Sequence, residues 1–254
     1  QRSIGEIADL VPQYLGRKTP SDGLNLFQIS ELFSANGFYP LILSRQLASD
    51  QQFYRAVFSY IESGIPMVGA MTQREHAVAI VGHGEPDYSA VVNARGVHMH
   101  SDFVSDLVIS DDNHLPFTTI SRNKHPGAYA MNDLDFVIIP LYEKTYLNAN
   151  IVHERVNALI CSGVMQLPTD LIVRVYLTST RSLKRECVLC SVTNDELKTI
   201  LLNLETPQFV WVADISTPEH YVAAQTSARI IIDATAGTYE RDPWLLWHDG
   251  TTIA

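Results

Sequence analysis

The chain is 254 residues long, 46% hydrophobic and 18% charged, with a formal net charge of −10. That length can bury about three quarters of the unfolded surface, in one domain or two, and no stretch approaches the roughly 18 apolar residues that cross a bilayer. The acidic balance, with no clustered Lys and Arg, argues against a nucleic-acid surface and for a neutral or basic substrate.

In chain order, Ser3-x-x-Glu6 is a capping box, opening a helix with Ile4, Ile7, Leu10 and Val11 on one face and ended by Pro12 and Gly16. A second helix follows the Ser21-Asp22-Gly23 turn, buries Leu26, Ile29, Leu32 and Phe33, and stops at Asn36-Gly37. A third starts at Ser49 or Asp50 and carries Phe53, Val57, Phe58 and Ile61 at helical spacing before Gly64. From there the periodicity changes to short β-rich runs at 65–71, 77–82, 88–93 and 107–110, then Asn132 to Leu141.

Asn150 opens a helix through Cys161, and Leu171 to Thr178 is a strand. Thr193-x-x-Glu196 is a second capping box, before a helix with Leu197, Ile200, Leu201 and Leu204. Phe209–Asp214 and Arg229–Asp233 are expected to pair antiparallel. There is no internal repeat and no regular βαβ alternation, so the expected class is α+β.

The segment Arg74-Glu75-His76-Ala77-Val78-Ala79-Ile80-Val81-Gly82-His83-Gly84 puts a histidine at the mouth of one strand. Leu107-Val108-Ile109-Ser110-Asp111-Asp112-Asn113 closes another with two carboxylates. If the strands are neighbours, imidazole and carboxylate meet. A neutral imidazole can take a proton from a thiol or hydroxyl, while a carboxylate on its other nitrogen fixes the tautomer and stabilises the imidazolium. A strand-start histidine bonded to backbone and an ordinary Asp-Asp-Asn turn are the competing reading.

Gly64-Ile65-Pro66-Met67-Val68-Gly69-Ala70, the His76 to Gly82 strand, and Ile109-Ser110-Asp111-Asp112-Asn113-His114-Leu115-Pro116-Phe117 together resemble the His and Asp halves of papain-like cysteine peptidases of the bacteriocin-processing, C39-like type. Ser3 to Ala8 and Gly23 to Phe38 resemble the two helices that follow the nucleophile helix in that family. The likeness covers about the first half of the chain. It implies a papain-like fold, with amino-terminal helices on a mostly antiparallel sheet in residues 1–141, and an α/β elaboration in 142–254 that is separate or part of the same domain. It also implies His76 as general base and Asp111 as its orienting carboxylate, with Asp112 the alternative. The expected substrate is a peptide, amide or thioester.

In that family the nucleophilic cysteine opens a helix ahead of the His and Asp, with a glutamine just before it. Residues 1–75 contain no cysteine. The expectation is therefore an intact protein that supplies the thiol ahead of Gln1, or a member that has lost catalysis and serves as a binding or scaffolding module. This polypeptide is expected to show little or no thiol-dependent activity.

Three cysteines make no disulfide framework in a chain of this size, so a reducing, cytoplasmic setting is expected. Cys187-Val188-Leu189-Cys190 is read as a pair of apolar fillers at a strand end rather than a redox or zinc motif. A rival constellation is Cys187 or Cys190 with His220 and Asp233, whose order and Asp-Ala-Thr ending resemble a transglutaminase-type core. His98-Met99-His100-Ser101-Asp102 is similar to the start of a metallo-β-lactamase motif, but Phe103 stands where the next histidine belongs. A solvated loop is the expected home for that segment, with His83 and His114 the nearby residues zinc would need.

No metal and no cofactor is expected, and Gly82-His83-Gly84 is a turn and not a phosphate loop, because no helix begins after it. Trp211, Trp244, Trp247 and Tyr239 are expected to cover the core. No nucleic-acid or membrane partner is expected, and the oligomeric state is left open.

Overall fold

The computed structural model describes residues 23–122, 128–189 and 195–254. The expected first helix, both capping boxes' opening residues Ser3 and Thr193, and Cys190 lie outside them. The described chain is α+β, with two sheets. It divides into two interleaved units: the described residues of Gln1–Phe53, Ile65–Gly82 and Leu107–Glu143, and those of Tyr54–Gly64, His83–Asp106 and Lys144–Ala254.

The first unit is built on β1 (Tyr39–Ser44), β2 (Met67–Met71), β3 (His76–His83), β5 (Asp106–Ser110), β6 (Thr118–Ser121) and β7 (Phe136–Leu141), in the order β1-β7-β2-β3-β5-β6. β1 pairs antiparallel with β7, and β2 antiparallel with both β7 and β3. Gly69 of β2 lets two side chains close over the strand: a Cβ there would lie 2.6 Å from Leu134 Cδ2 and 3.0 Å from Ile80 Cδ1, and those side-chain ends would have to shift. Helix α1 (Leu26–Ala35) ends as expected at Asn36, with Gly37 at φ +84°. Its start is a capping box in which Asn25 Oδ1 accepts from the Gln28 N–H and Gln28 Oε1 from the Asn25 N–H.

Helix α2 (Asp50–Glu62) follows the expected spacing, with Phe53, Val57 and Phe58 buried. Its terminus, from Tyr54 on, belongs to the second unit. That unit holds the second sheet, β11-β10-β9-β8-β4, made of β4 (Val97–Met99), β8 (Leu171–Ser179), β9 (Phe209–Ser216), β10 (Ala228–Asp233) and β11 (Trp244–His248). The expected antiparallel pairing of β9 with β10 is present, and β4 pairs parallel with β8. The carboxy-terminal strands therefore form their own sheet rather than extending the one that contains His76.

Central β9 is buried along nearly its whole length, as a strand covered on both faces must be. Val210 and Val212 of β9, Ile231 and Leu246 share a core with two helices, α5 (Thr180–Leu189) and α6 (Asp195–Asn203). Helix α4 (Ala149–Cys161) begins one residue before the expected point, because Asn148 Oδ1 accepts the Ile151 N–H as its cap.

Three expectations are corrected. Residues 88–93 are not a strand: Tyr88–Val92 forms a short helix, α3, because Asp87 Oδ1 caps the Ser89 and Ala90 amides. Cys187 is an apolar filler, 2% exposed, but it sits inside α5 and not at a strand end. The expected aromatic cover also does not assemble, since Trp211 is fully buried in β9 while Tyr239 is 96% exposed. No helix among the described residues is long and apolar enough to cross a membrane.

Candidate functional site

His76 opens β3 and Asp111 follows the last residue of β5, a hydrogen-bonded neighbour of β3 in the sheet. The alternation of side chains decides where they point. Val78 and Ile80 are buried on the face that His76 shares, and Leu107 and Ile109 on the face that Asp111 shares. The chain enters β3 through a tight turn at Thr72–Arg74, closed by Glu75 in the left-handed region at φ +50°, with its N–H on the Thr72 carbonyl.

These constraints bring His76 Nε2 to 2.7 Å from Asp111 Oδ1. The Asp111 side chain is fully buried, and that of His76 keeps 19% of its surface exposed. Asp112 lies farther off, at 3.8 Å from the same nitrogen, and its side chain is 86% exposed. Of the two carboxylates, Asp111 has the position to fix the imidazole. With Nε2 engaged, Nδ1 is the ring atom left to exchange a proton.

A further histidine joins the site that spacing did not pick out as a partner. His114 Nδ1 is 2.6 Å from Asp111 Oδ2, and the Asn113 N–H donates to Oδ1 at 3.1 Å. Tyr129 stands beside both imidazoles, at 5.6 Å from the His76 ring and 4.9 Å from that of His114. Arg74 lies over the Tyr129 ring at 5.2 Å and is held by Asp133 at 2.9 Å. The signal for His114 was its place three residues after Asp111, within reach across the turn.

Burial would raise the Asp111 carboxyl, but the Asn113 N–H and the His114 and His76 rings outweigh it and hold it well below the usual aspartate range. A depressed carboxyl adds stability that is present above its unfolded value and lost as pH falls through the folded one. Asp111→Asn should therefore be less stable than the parent near neutrality, with the gap closing as pH drops below about 4. Thermal unfolding of both proteins across an acid pH series measures this; a gap independent of pH would remove the ionised carboxylate from the site.

Among the described residues, the other sequence candidates have partners of their own, and Cys190 lies outside them. His220 Nδ1 pairs with Ser227 Oγ at 2.7 Å, while Asp233 Oδ1 accepts the Thr235 N–H and hydroxyl, both at 2.6 Å, as a turn cap. The two histidines of the H-x-H segment part company. His98 Nε2 meets the Arg95 carbonyl at 2.9 Å, and His100 is buried instead of lying in a solvated loop. Two sets of three ligand-type side chains lie within 4.8 Å among the described residues: His76, Asp111 and Asp112, and Glu62, His83 and His100. In the first set Asp111 already holds His76, His114 and the Asn113 N–H. No family model, curated protein or solved structure matches the chain.

Proposed function

We propose that this chain carries the general-base half of a papain-like, C39-like thiol enzyme acting on a peptide, amide or thioester. The observation that carries the reading is the 2.7 Å contact of His76 Nε2 with Asp111 Oδ1, between a partly exposed imidazole and a fully buried carboxylate. With a cysteine ahead of Gln1 in the intact product, His76 Nδ1 takes the thiol proton and Asp111 stabilises the imidazolium. The thiolate then attacks the carbonyl carbon, the imidazolium returns its proton to the leaving group, and water, deprotonated by His76, releases the acyl group. A binding module that keeps the fold is the second reading, favoured by the lack of any cysteine in residues 1–75.

The test is made on the full-length gene product. An iodoacetamide probe should label an upstream cysteine faster than the exposed Cys161, and replacement of that upstream cysteine by Ala should abolish turnover of peptide or thioester substrates. Unchanged turnover after that replacement overturns the enzyme reading; a product with no such cysteine leaves the binding module in its place.

A further inference from the structure

The second unit holds a cluster that the His76 site does not use. Glu62 ends α2, His83 ends β3 and His100 opens the 3₁₀ turn after β4, so three distant segments supply it. Their side chains are 7%, 18% and 9% exposed. One carboxylate oxygen, Glu62 Oε1, is the focus: His83 Nε2 lies directly against it, and His100 Nε2 approaches to 3.2 Å without making a hydrogen bond.

The outer contacts fix which ring atoms face inward. His83 Nδ1 is 2.6 Å from the Gly84 carbonyl, which can only accept, so Nδ1 carries the hydrogen and the neutral ring presents the Nε2 lone pair to Glu62. His100 Nδ1 is bonded to the Tyr221 hydroxyl. Arg174 Nε engages the other oxygen, Glu62 Oε2, and leaves Oε1 to the imidazoles. A lone pair facing a carboxylate oxygen is repulsive unless a cation lies between them. A proton would meet that need at His83, whereas a metal ion at the same place would engage His83 Nε2 and the buried His100 Nε2 together.

We propose that Glu62, His83 and His100 bind one divalent transition-metal ion of the zinc class, through Oε1 and the two Nε2 atoms. Bonds of about 2.0–2.2 Å place tetrahedral ligand atoms roughly 3.3 Å apart. The three donors lie within 4.8 Å of one another, and the His100 to Glu62 separation of 3.2 Å already has that span. Gly84, Tyr221 and Arg174 are the outer contacts that orient each ligand. Two imidazoles with a single carboxylate select Zn²⁺ or Co²⁺ over Mg²⁺ and Ca²⁺, which require oxygen ligands. The nearby Arg174 charge penalises any ion that binds imidazole weakly. Three protein ligands leave a coordination position for water.

The test uses the whole chain after chelator treatment, titrated with Zn²⁺ by calorimetry and with Co²⁺ by visible absorption. One equivalent per chain should bind, with Co²⁺ showing the intense bands of a low-coordinate site. His83→Asn and His100→Asn, each checked for native circular dichroism, should abolish that binding. Tyr221→Phe, which leaves all three ligands in place, should weaken it by roughly 10- to 100-fold. His76→Ala should leave it intact, because the His76, Asp111 and Asp112 set is separate. Absence of saturable binding by the stripped parent protein overturns the proposal. So does an equivalent that survives His83→Asn or disappears in His76→Ala.

Discussion

His76→Ala, made in an intact product that carries the upstream cysteine, should lower turnover by roughly 10²- to 10⁴-fold, the usual contribution of a positioned general base. The ring is partly exposed at the strand mouth, so its truncation removes little packing and the protein should remain folded. Asp111 and Asp112 separate the catalytic pair from general electrostatics. Asp111→Asn removes the charge 2.7 Å from Nε2 and should reduce kcat far more than Asp112→Asn, whose carboxylate is exposed and 3.8 Å away. Steady-state kinetics of the three variants, with iodoacetamide labelling rates as a direct reading of thiolate content, provide the measurement. Equal loss for Asp111→Asn and Asp112→Asn would mean that local negative charge, and not an oriented imidazole, is what matters.

His76 and Asp111 could be paired from sequence because both signals are local. Each stands at the end of an apolar run with period two, so neighbouring strands suffice to join them. The Glu62, His83 and His100 cluster had no such signal. It joins a helix end, a strand end and a turn, and a glutamate closing an amphipathic helix ordinarily points to water. The H-x-H segment drew attention to metal chemistry, yet only His100 takes part. The missing piece was the carboxylate.

Strand β1 was not foreseen because Pro40 interrupts its apolar run, and proline is tolerated there because β1 is an edge strand. Residues 88–93 read as β-rich because of Val91 and Val92, but the Asp87 cap satisfies two amides at once and overrides that preference. The second sheet was legible only in its β8, β9 and β10 strands. Short β4 offers three residues to a parallel ladder, too few for any periodicity.

Trp211→Ala should be the most damaging single change to the second unit, costing about 3–5 kcal/mol for the lost side chain. The indole is fully buried at the centre of β9, with its ring centroid 5.4 Å from that of Tyr60 in an edge contact. Its Nε1–H donates to the Leu147 carbonyl at 2.8 Å. Tyr60, also fully buried, accepts the Ala149 N–H on its hydroxyl at 3.2 Å. The two rings thus fasten β9, the final turns of α2 and the entry to α4 at one joint. Trp211→Phe keeps most of the apolar burial but orphans the Leu147 carbonyl, for a loss of about 1–3 kcal/mol. Urea unfolding of the three proteins, compared at a common m-value, reads both losses. Against a total stability of about 5–15 kcal/mol, the alanine variant should sit close to the folding threshold at 37 °C. A phenylalanine variant as unstable as the alanine one would transfer the effect from ring burial to the indole hydrogen bond. Parental stability in both would show that the joint contributes nothing.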